Sequence, residues 1–283
     1  MVEHVIPESY AEVLERLAEE QCIILAGGTD LMVQRRSAAM TPPGFDHTVI
    51  YAFHLDELKY VRKDVAGIRI GAMTSYETLL FHPDTPELLK DVIRDIAGPG
   101  IRYLGTLAGN IGNASPAGDG LVPLYLLDAS VVLESVYGVR VVPIEEVILG
   151  PRKTRIHEEE MIKEILIPEP DLTVTAWTKV GGRRADAIAK VSFAGAARIE
   201  GELITDCRIA LGAVYATVIR RREIERRCRA TKSELAARKA SILSEYEKRI
   251  EPIDDQRSNR VYRRRVALNM VADFIDRITE KKV

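Results

Sequence analysis

The sequence has 283 residues, of which 46% are hydrophobic and 29% charged, a composition typical of a globular protein and unlike that of a disordered chain. The 40 Lys and Arg against 42 Asp and Glu leave a net charge of −2, so bulk charge does not favour nucleic acid or an acidic membrane surface as a partner. Cys22, Cys207 and Cys228 are too far apart for a disulfide scaffold, a Cys-x-x-Cys zinc site or an iron–sulfur cluster held by this chain alone.

No stretch approaches the roughly 18 consecutive apolar residues of a membrane span, and the first residues lack the pattern of a signal peptide. We therefore expect a cytoplasmic protein with reduced thiols. Residues 200–283 carry 20 Lys or Arg and 14 Asp or Glu, so the net negative charge lies in the first 199 residues. This asymmetry suggests two regions with different roles.

In chain order, the first 170 residues predict a mixture of helices and strands. The capping box Ser9-x-x-Glu12 starts an amphipathic helix, and a second box is predicted at Thr74-x-x-Glu77. The further elements predicted here are strands at 22–26, 48–53, 68–73 and 161–167, helices at 87–97 and 121–127, a polar loop at 105–120, and a hairpin of 131–134 with 139–143.

From about residue 170 the pattern changes to a β-meander followed by helices. Extended runs are predicted at 173–180, 187–199 and 203–211, and three helical segments follow, with a cap at Thr231-x-x-Glu234 and a last helix from about 257 to 279. This order of elements favours an α+β fold over a single doubly wound sheet.

The first motif with chemical potential is Gly27-Gly28-Thr29-Asp30, which lies between a buried strand and a helical segment from Leu31. Two glycines allow a sharp turn and a close approach of the backbone to a ligand. Successive N–H groups at a helix start form a nest for an anion such as a diphosphate. The motif is neither Gly-x-Gly-x-x-Gly nor a P-loop, and taken alone it is more often a purely structural turn.

The second motif is the polar segment 105–119, which contains four glycines and two asparagines. A long loop of this composition is usually functional, with a solvated surface loop as the alternative. Its backbone N–H groups and short hydroxyls, including that of Ser115, suit phosphate oxygens. Asp119 can accept two hydrogen bonds from vicinal hydroxyls, as carboxylates do from ribose.

Other polar clusters predict less. The five histidines show no ligand spacing, so we expect no metal site. The arginine run 220–229 is interleaved with glutamates and lacks aromatic residues, which favours a solvated helix face over nucleic-acid binding. Asp254 and Asp255 precede a helical run, which favours capping over acid–base catalysis. No nucleophile motif is present. We therefore expect no catalytic side chain, and we expect a bound cofactor to carry out the chemistry.

Together, Ala26–Leu31 and Thr106–Asp119 resemble the two FAD loops of the flavoprotein (medium) subunit of molybdenum hydroxylases, the carbon monoxide dehydrogenase and xanthine dehydrogenase family. Three further segments resemble the same family in the same order, so that the resemblance spans nearly the whole chain. They are Glu160-x-Ile162 with Ile167-Pro168, Lys179-x-x-x-Arg183, and Ile253-Asp-Asp-Gln-Arg with Tyr262-Arg.

The resemblance implies a two-subdomain FAD-binding domain of the PCMH type at 1–170, divided near 57, and a C-terminal domain at 171–283 with a three-stranded sheet and helices. It implies that Asp119 holds ribose hydroxyls, that Ile162 packs near the cofactor, and that Lys179 lies beside the flavin or its phosphates, where a cation raises the flavin potential. The implied FAD-binding residues are Ile24, Leu25, Ala26, Gly27, Gly28, Thr29, Asp30, Leu31, Thr106, Gly109, Asn110, Ser115, Asp119, Ile162 and Lys179.

The implied function is that of an electron-transfer subunit. Electrons would come from [2Fe–2S] centres in a small partner subunit, after substrate oxidation at a molybdopterin cofactor in a large partner subunit, and would leave to NAD⁺, a quinone or oxygen. Two alternatives remain open at this point: a stand-alone FAD-dependent reductase, and a non-catalytic nucleotide-binding protein whose loops hold a different phosphorylated ligand.

Overall fold

The computed structural model describes residues 2–38, 40–169 and 171–280. Its strands are β1 (His4–Val5), β2 (Cys22–Leu25), β3 (Thr48–Tyr51), β4 (Val61–Asp64), β5 (Gly67–Gly71), β6 (Ser130–Ser135), β7 (Gly138–Pro143), β8 (Ile148–Gly150), β9 (Lys153–Thr154), β10 (Met161–Ile167), β11 (Val174–Val180), β12 (Val191–Glu200), β13 (Leu203–Gly212) and β14 (Ile219–Arg220). Its α-helices are α1 (Tyr10–Glu19), α2 (Leu31–Gln34), α3 (Tyr76–Phe81), α4 (Glu87–Arg94), α5 (Pro99–Arg102), α6 (Leu107–Asn113), α7 (Leu121–Leu126), α8 (Ile144–Val147), α9 (Arg222–Cys228), α10 (Lys232–Glu247) and α11 (Arg260–Thr279).

The chain forms two compact units. The first contains the chain up to residue 86 together with 97–114 and 128–169, and the second contains 87–96, 115–127 and the chain beyond 170. The division near residue 170 stays a prediction, and two segments that precede it belong to the second compact unit.

The first unit contains two larger sheets. A three-stranded parallel sheet has the order β1-β3-β2, and a five-stranded antiparallel sheet has the order β4-β5-β10-β6-β7. Helix α1 begins where the Ser9 hydroxyl accepts a hydrogen bond from the Glu12 N–H, and it buries Val13, Leu14 and Leu17 at positions that share one helical face. The predicted cap at Thr74 is wrong by one residue, because Ser75 caps α3 while the Thr74 hydroxyl bonds with the backbone of Tyr60.

Helix α6 corrects the prediction of an uninterrupted loop at 105–120. The Thr106 hydroxyl accepts a hydrogen bond from the Gly109 N–H at 2.9 Å, and this caps the helix. Leu107 and Ile111, four residues apart, are buried on the same face. The helix ends at Ala114, whose φ of 45° is left-handed. The second glycine-bearing segment is therefore a capped helix followed by a turn.

The second unit is built on an antiparallel sheet of order β11-β12-β13-β14, in which three long strands are joined by a two-residue fourth strand. Helix α11 packs against β11 and β12, α9 packs against β13, and α10 packs against both helices. The core includes Phe193, Tyr246 and Phe274. Helices α4 and α7 belong to this unit as well: α4 contacts β11, and α7 contacts β12 and β13. The mixture of sheets and helices confirms the predicted α+β class.

A buried ion pair fixes α9 to the sheet of the second unit. The Arg220 Nε lies 3.0 Å from the Glu225 Oε1, and both side chains are 4% exposed. The same Glu225 oxygen accepts a hydrogen bond from the Ile209 N–H at 2.8 Å. The interpretation of the run 220–229 as a solvated face is therefore wrong for these two residues.

Candidate cofactor site

Both glycine-bearing segments line one cavity of about 410 Å³ in the first unit. Strand β2 and the turn after it form one wall, helix α6 forms a second, and the start of β10 contributes a third. The predicted site residues that line it are Ile24, Leu25, Ala26, Gly27, Gly28, Thr29, Asp30, Leu31, Thr106, Gly109, Asn110 and Ile162. Its volume is within the usual range of small-molecule and cofactor sites.

Glycine is required where the two segments meet. A Cβ atom on Gly27 would lie 1.8 Å from the carbonyl oxygen of Leu104, so any side chain there would force the segments apart. Gly28 has a φ of 65°, which glycine adopts without strain. The sharp turn and the close approach of the two segments therefore both depend on the glycine pair.

The turn presents free backbone donors. Within the described residues, the N–H groups of Gly27, Gly28, Thr29 and Asp30 donate no hydrogen bond to the chain. Across the cavity, the buried Oδ1 of Asn110 accepts none. Consecutive donors of this kind attract anionic oxygens, and a buried acceptor without a partner favours a ligand that donates to it. The residues present therefore fit a dinucleotide with a diphosphate and hydroxyl groups, as FAD has.

A β-bulge directly follows the residues of β10 that form the third wall. The pairing of β10 with β6 shifts register between Ile162 and Glu164, which leaves Lys163 as the extra residue. The Lys163 carbonyl accepts a hydrogen bond from the Ala72 N–H at 3.0 Å. The Lys163 Nζ lies 2.7 Å from the Glu134 Oε2. Met161 and Ile162, which precede the bulge, are both buried and both line the cavity.

One carboxylate in the wall is held by an arginine. Both oxygens of Glu160 accept hydrogen bonds from Arg140, at 2.6 and 2.7 Å, and Glu160 Oε2 also accepts one from the His157 N–H at 2.8 Å. The hydrogen bond from Arg140 is the main reason why the pKa of Glu160 lies below its ordinary value. Glu160 is therefore a fixed anion rather than a proton donor at neutral pH.

Gln34, Asn113 and Arg152 also line the cavity, although sequence reasoning missed all three. Arg152 is the one Lys or Arg side chain among the lining residues that the structure describes. Its φ of 57° is left-handed, a conformation that costs a residue with a side chain about 1–2 kcal/mol. The sequence contains no motif around residue 152 that would have indicated this position.

Ser115, Asp119 and Lys179 belong to the second unit. The Ser115 hydroxyl accepts a hydrogen bond from the Ala117 N–H at 3.3 Å, which is a local turn contact. Lys179 Nζ lies 2.6 Å from Asp119 Oδ2 and donates to the Asp95 carbonyl at 2.7 Å. The roles of these three residues toward FAD stay predictions.

Burial dominates the ionisation of Asp119. Its side chain is 8% exposed, and its Oδ1 has no hydrogen-bond partner within the described residues. Desolvation raises the pKa of Asp119 to about 6, even though the neighbouring Lys179 acts in the opposite direction. Asp119 therefore gains its negative charge only near neutral pH.

Among the described residues, no cluster of His, Cys, Asp and Glu has the arrangement of a metal site. None of the helices in residues 2–38, 40–169 and 171–280 combines the length and the apolar character that crossing a membrane requires.

Two family models match the chain. Residues 1–170 match the FAD binding domain in molybdopterin dehydrogenase, and residues 176–278 match the CO dehydrogenase flavoprotein C-terminal domain. The chain is 32% identical to the glyceraldehyde dehydrogenase medium chain of Sulfolobus acidocaldarius over 93% of each chain. It is 30% identical to the xanthine dehydrogenase FAD-binding subunit of Escherichia coli O157:H7, with 74% of this chain and 73% of the relative covered.

A solved structure agrees with these matches. A chain of the reconstituted CO dehydrogenase from Oligotropha carboxidovorans superimposes with a TM-score of 0.88 at 25% identity, over 99% of this chain and 98% of the other. The matches extend over both parts of the sequence, the FAD-binding domain and the C-terminal domain. The chain therefore belongs to the oxidoreductase family of FAD-binding medium subunits of molybdopterin dehydrogenases.

Proposed function

We propose that this chain is the electron-transfer subunit of a three-part complex. A large molybdopterin-binding subunit oxidises the substrate, a small subunit carries [2Fe–2S] centres, and the FAD of this chain passes the electrons to NAD⁺, a quinone or oxygen. When bound, FAD supplies a ring system that accepts electrons singly and can release a hydride. We further propose that the complex is cytoplasmic, where its cysteines stay reduced.

One observation carries the proposal: the two glycine-bearing segments line a single cavity, and four consecutive N–H groups there donate no hydrogen bond to any residue that the structure describes. In the proposed complex, these groups bind the diphosphate of FAD, and the buried Asn110 Oδ1 accepts a hydrogen bond from the cofactor. Asp119 and Lys179, an ion pair of the second unit, are proposed to contact the ribose hydroxyls and the flavin, respectively.

The distribution of cysteines supports the partner assignment. The chain has three cysteines, all free, and Cys207 and Cys228 are fully buried. A [2Fe–2S] centre needs four protein ligands, commonly all cysteine thiolates. The clusters of the proposed complex are therefore assigned to a separate chain.

A matched pair of glycine substitutions tests the cofactor site. A Cβ atom on Gly112 or on Gly100 would have no neighbour within 4 Å, but only Gly112 lines the cavity. We expect Gly112→Leu to raise the Kd of the full chain for FAD at least tenfold, because the new side chain occupies the space of the ligand. Gly100→Leu is expected to bind FAD as the parent does, in a titration followed by flavin absorbance and fluorescence.

Failure of the parent chain to bind FAD would contradict the proposal, as would equal affinities of the two variants. The partner subunits are tested separately, by purifying the tagged chain from its native cells and assaying the copurified proteins for molybdenum and iron. The acceptor is identified by reducing that complex without oxygen and then adding NAD⁺, a quinone or oxygen in turn.

A further inference from the structure

The side chain of Gln34 joins three segments that surround the cavity. Its amide nitrogen donates to Asp30 Oδ2 and, at 2.7 Å, to Asn113 Oδ1. Its amide oxygen accepts a hydrogen bond from the guanidinium of Arg152. We call these four side chains, Asp30, Gln34, Asn113 and Arg152, the rim network.

The rim network connects parts of the chain that are distant in sequence. Gln34 ends α2, Asn113 ends α6, and Arg152 lies in the turn between β8 and β9. All four members line the cavity. Asp30 and Arg152 are exposed, whereas Gln34 and Asn113 are half-buried, so the hydrogen bonds lie at the solvent side of the cavity.

Two of the seven non-glycine residues with a left-handed φ in the described part of the chain lie at the rim network. Arg152 and Ala114, which follows Asn113, both have left-handed φ values, 57° and 45°. The Arg152 N–H donates a hydrogen bond to the Ala114 carbonyl at 3.0 Å, so the two left-handed residues are joined by a backbone hydrogen bond. Left-handed residues with a side chain persist only where the surrounding structure enforces them, and they are frequent in ligand clamps.

We propose that the rim network is a clasp whose hydrogen bonds must open for FAD to enter or leave the cavity. The proposal rests on the assignment of the cavity to FAD. The clasp joins segments that surround the cavity at its solvent side, and it therefore acts as a barrier to FAD in both directions. Gln34 is a positioning residue here, since it supplies three of the hydrogen bonds and joins all the segments.

The test separates a barrier from a ligand contact by measuring both rate constants for FAD. In Gln34→Met, a side chain of similar length has no hydrogen-bonding amide. We expect association and dissociation of FAD to accelerate together, each roughly five- to tenfold, with a Kd close to that of the parent. Association is followed by the quenching of FAD fluorescence in stopped flow, and dissociation by its recovery after dilution.

Two further variants of the full chain complete the experiment. Arg152→Gly removes the guanidinium and relieves the left-handed strain, and it is expected to accelerate both rates as Gln34→Met does. Arg155→Ala breaks an exposed ion pair with Glu146, does not alter a cavity-lining residue, and is expected to leave both rates unchanged.

Unchanged exchange rates in Gln34→Met would overturn the clasp while leaving the FAD assignment intact. Faster dissociation alone, with association unchanged, would also overturn it, because that result defines Gln34 as a direct ligand. A parent chain that binds no FAD would overturn the proposed function and the clasp together.

Discussion

Asp119 and Lys179 illustrate how burial changes the pKa of the acid in an ion pair. Two opposite charges 2.6 Å apart usually lower the pKa of the acid, but here desolvation prevails and the pKa of Asp119 rises to about 6. Below that pH, Asp119 is mostly protonated and the positive charge of Lys179 is not balanced by it. Above that pH, the pair is close to neutral, which reduces the field that Lys179 exerts on its surroundings.

The raised pKa predicts a pH dependence of stability. Between about pH 4 and pH 6 the folded chain retains a proton on Asp119 that the unfolded chain has released, so the free energy of unfolding falls as the pH rises. The contribution is at most about 3 kcal/mol, from roughly two pKa units. We expect Asp119→Asn to remove it, as measured by urea unfolding of the FAD-free chain at several pH values.

Other groups also titrate in this pH range. The test therefore compares how steeply the free energy of unfolding changes with pH in the variant and in the parent. Asp273 is exposed on α11, and Asp273→Asn serves as the control that should keep the slope of the parent. If Asp119→Asn and the parent lost stability in parallel between pH 4 and pH 6, the raised pKa would be refuted.

Among the elements, α9 is attached to its sheet by a buried charge. Glu225→Ala would remove the buried carboxylate that accepts hydrogen bonds from Arg220 Nε and from the Ile209 N–H. Removing one partner of a buried pair costs about 3–5 kcal/mol, and we expect the free energy of unfolding to fall by that amount. Chemical denaturation of the variant and of the parent measures the difference.

Glu223 provides the comparison, because it lies two residues away on the same helix and is exposed. Glu223→Ala is expected to change stability by less than about 0.5 kcal/mol. A similar loss in both variants would show that the helix, and not the buried pair, is responsible.

Helix α6 shows what could and could not be predicted from the sequence. The loop expectation followed from its many small and polar residues, which lower helix propensity. The cap at Thr106 and the spacing of Leu107 and Ile111 were the helical signals, and they prevailed because tertiary burial outweighs propensity. A single pair of apolar residues four positions apart is too short a pattern to identify a helix before the packing is known.

For the molecule as a whole, binding of FAD predicts a measurable gain in stability. A ligand that binds only the folded state at a hundred times its Kd stabilises that state by about 2.7 kcal/mol. We expect saturating FAD to raise the melting temperature of the parent by several degrees. At the same FAD concentration, a tenfold higher Kd leaves about half of this stabilisation, so Gly112→Leu is expected to show about half of the shift or less in differential scanning fluorimetry, and an equal shift would contradict a site in the cavity.

The glycine-bearing segments of the site were recognisable from the sequence, because the turn at Gly27 and Gly28 needs residues without side chains. Gln34 and Arg152 were not recognisable, and Asn113 lies in the second motif but was not among the predicted FAD-binding residues. Their position depends on which segments the fold brings together, and neither local spacing nor composition carries that information. Contacts between segments distant in the chain explain most of what the sequence left undetermined.

Two segments that precede residue 170, 87–96 and 115–127, belong to the second compact unit, and this limits where the chain can be cut into fragments. A fragment that stops at residue 170 would include α4 and α7 but lack β11, β12 and β13, against which they pack. The faces of α4 and α7 that pack against this sheet would then be exposed to water, and in the intact chain four residues of α4 and all six of α7 are buried. The end of the matched FAD-binding domain at residue 170 is thus a poor place to cut the chain for expression, because the truncated product would expose apolar helix surface and tend to aggregate.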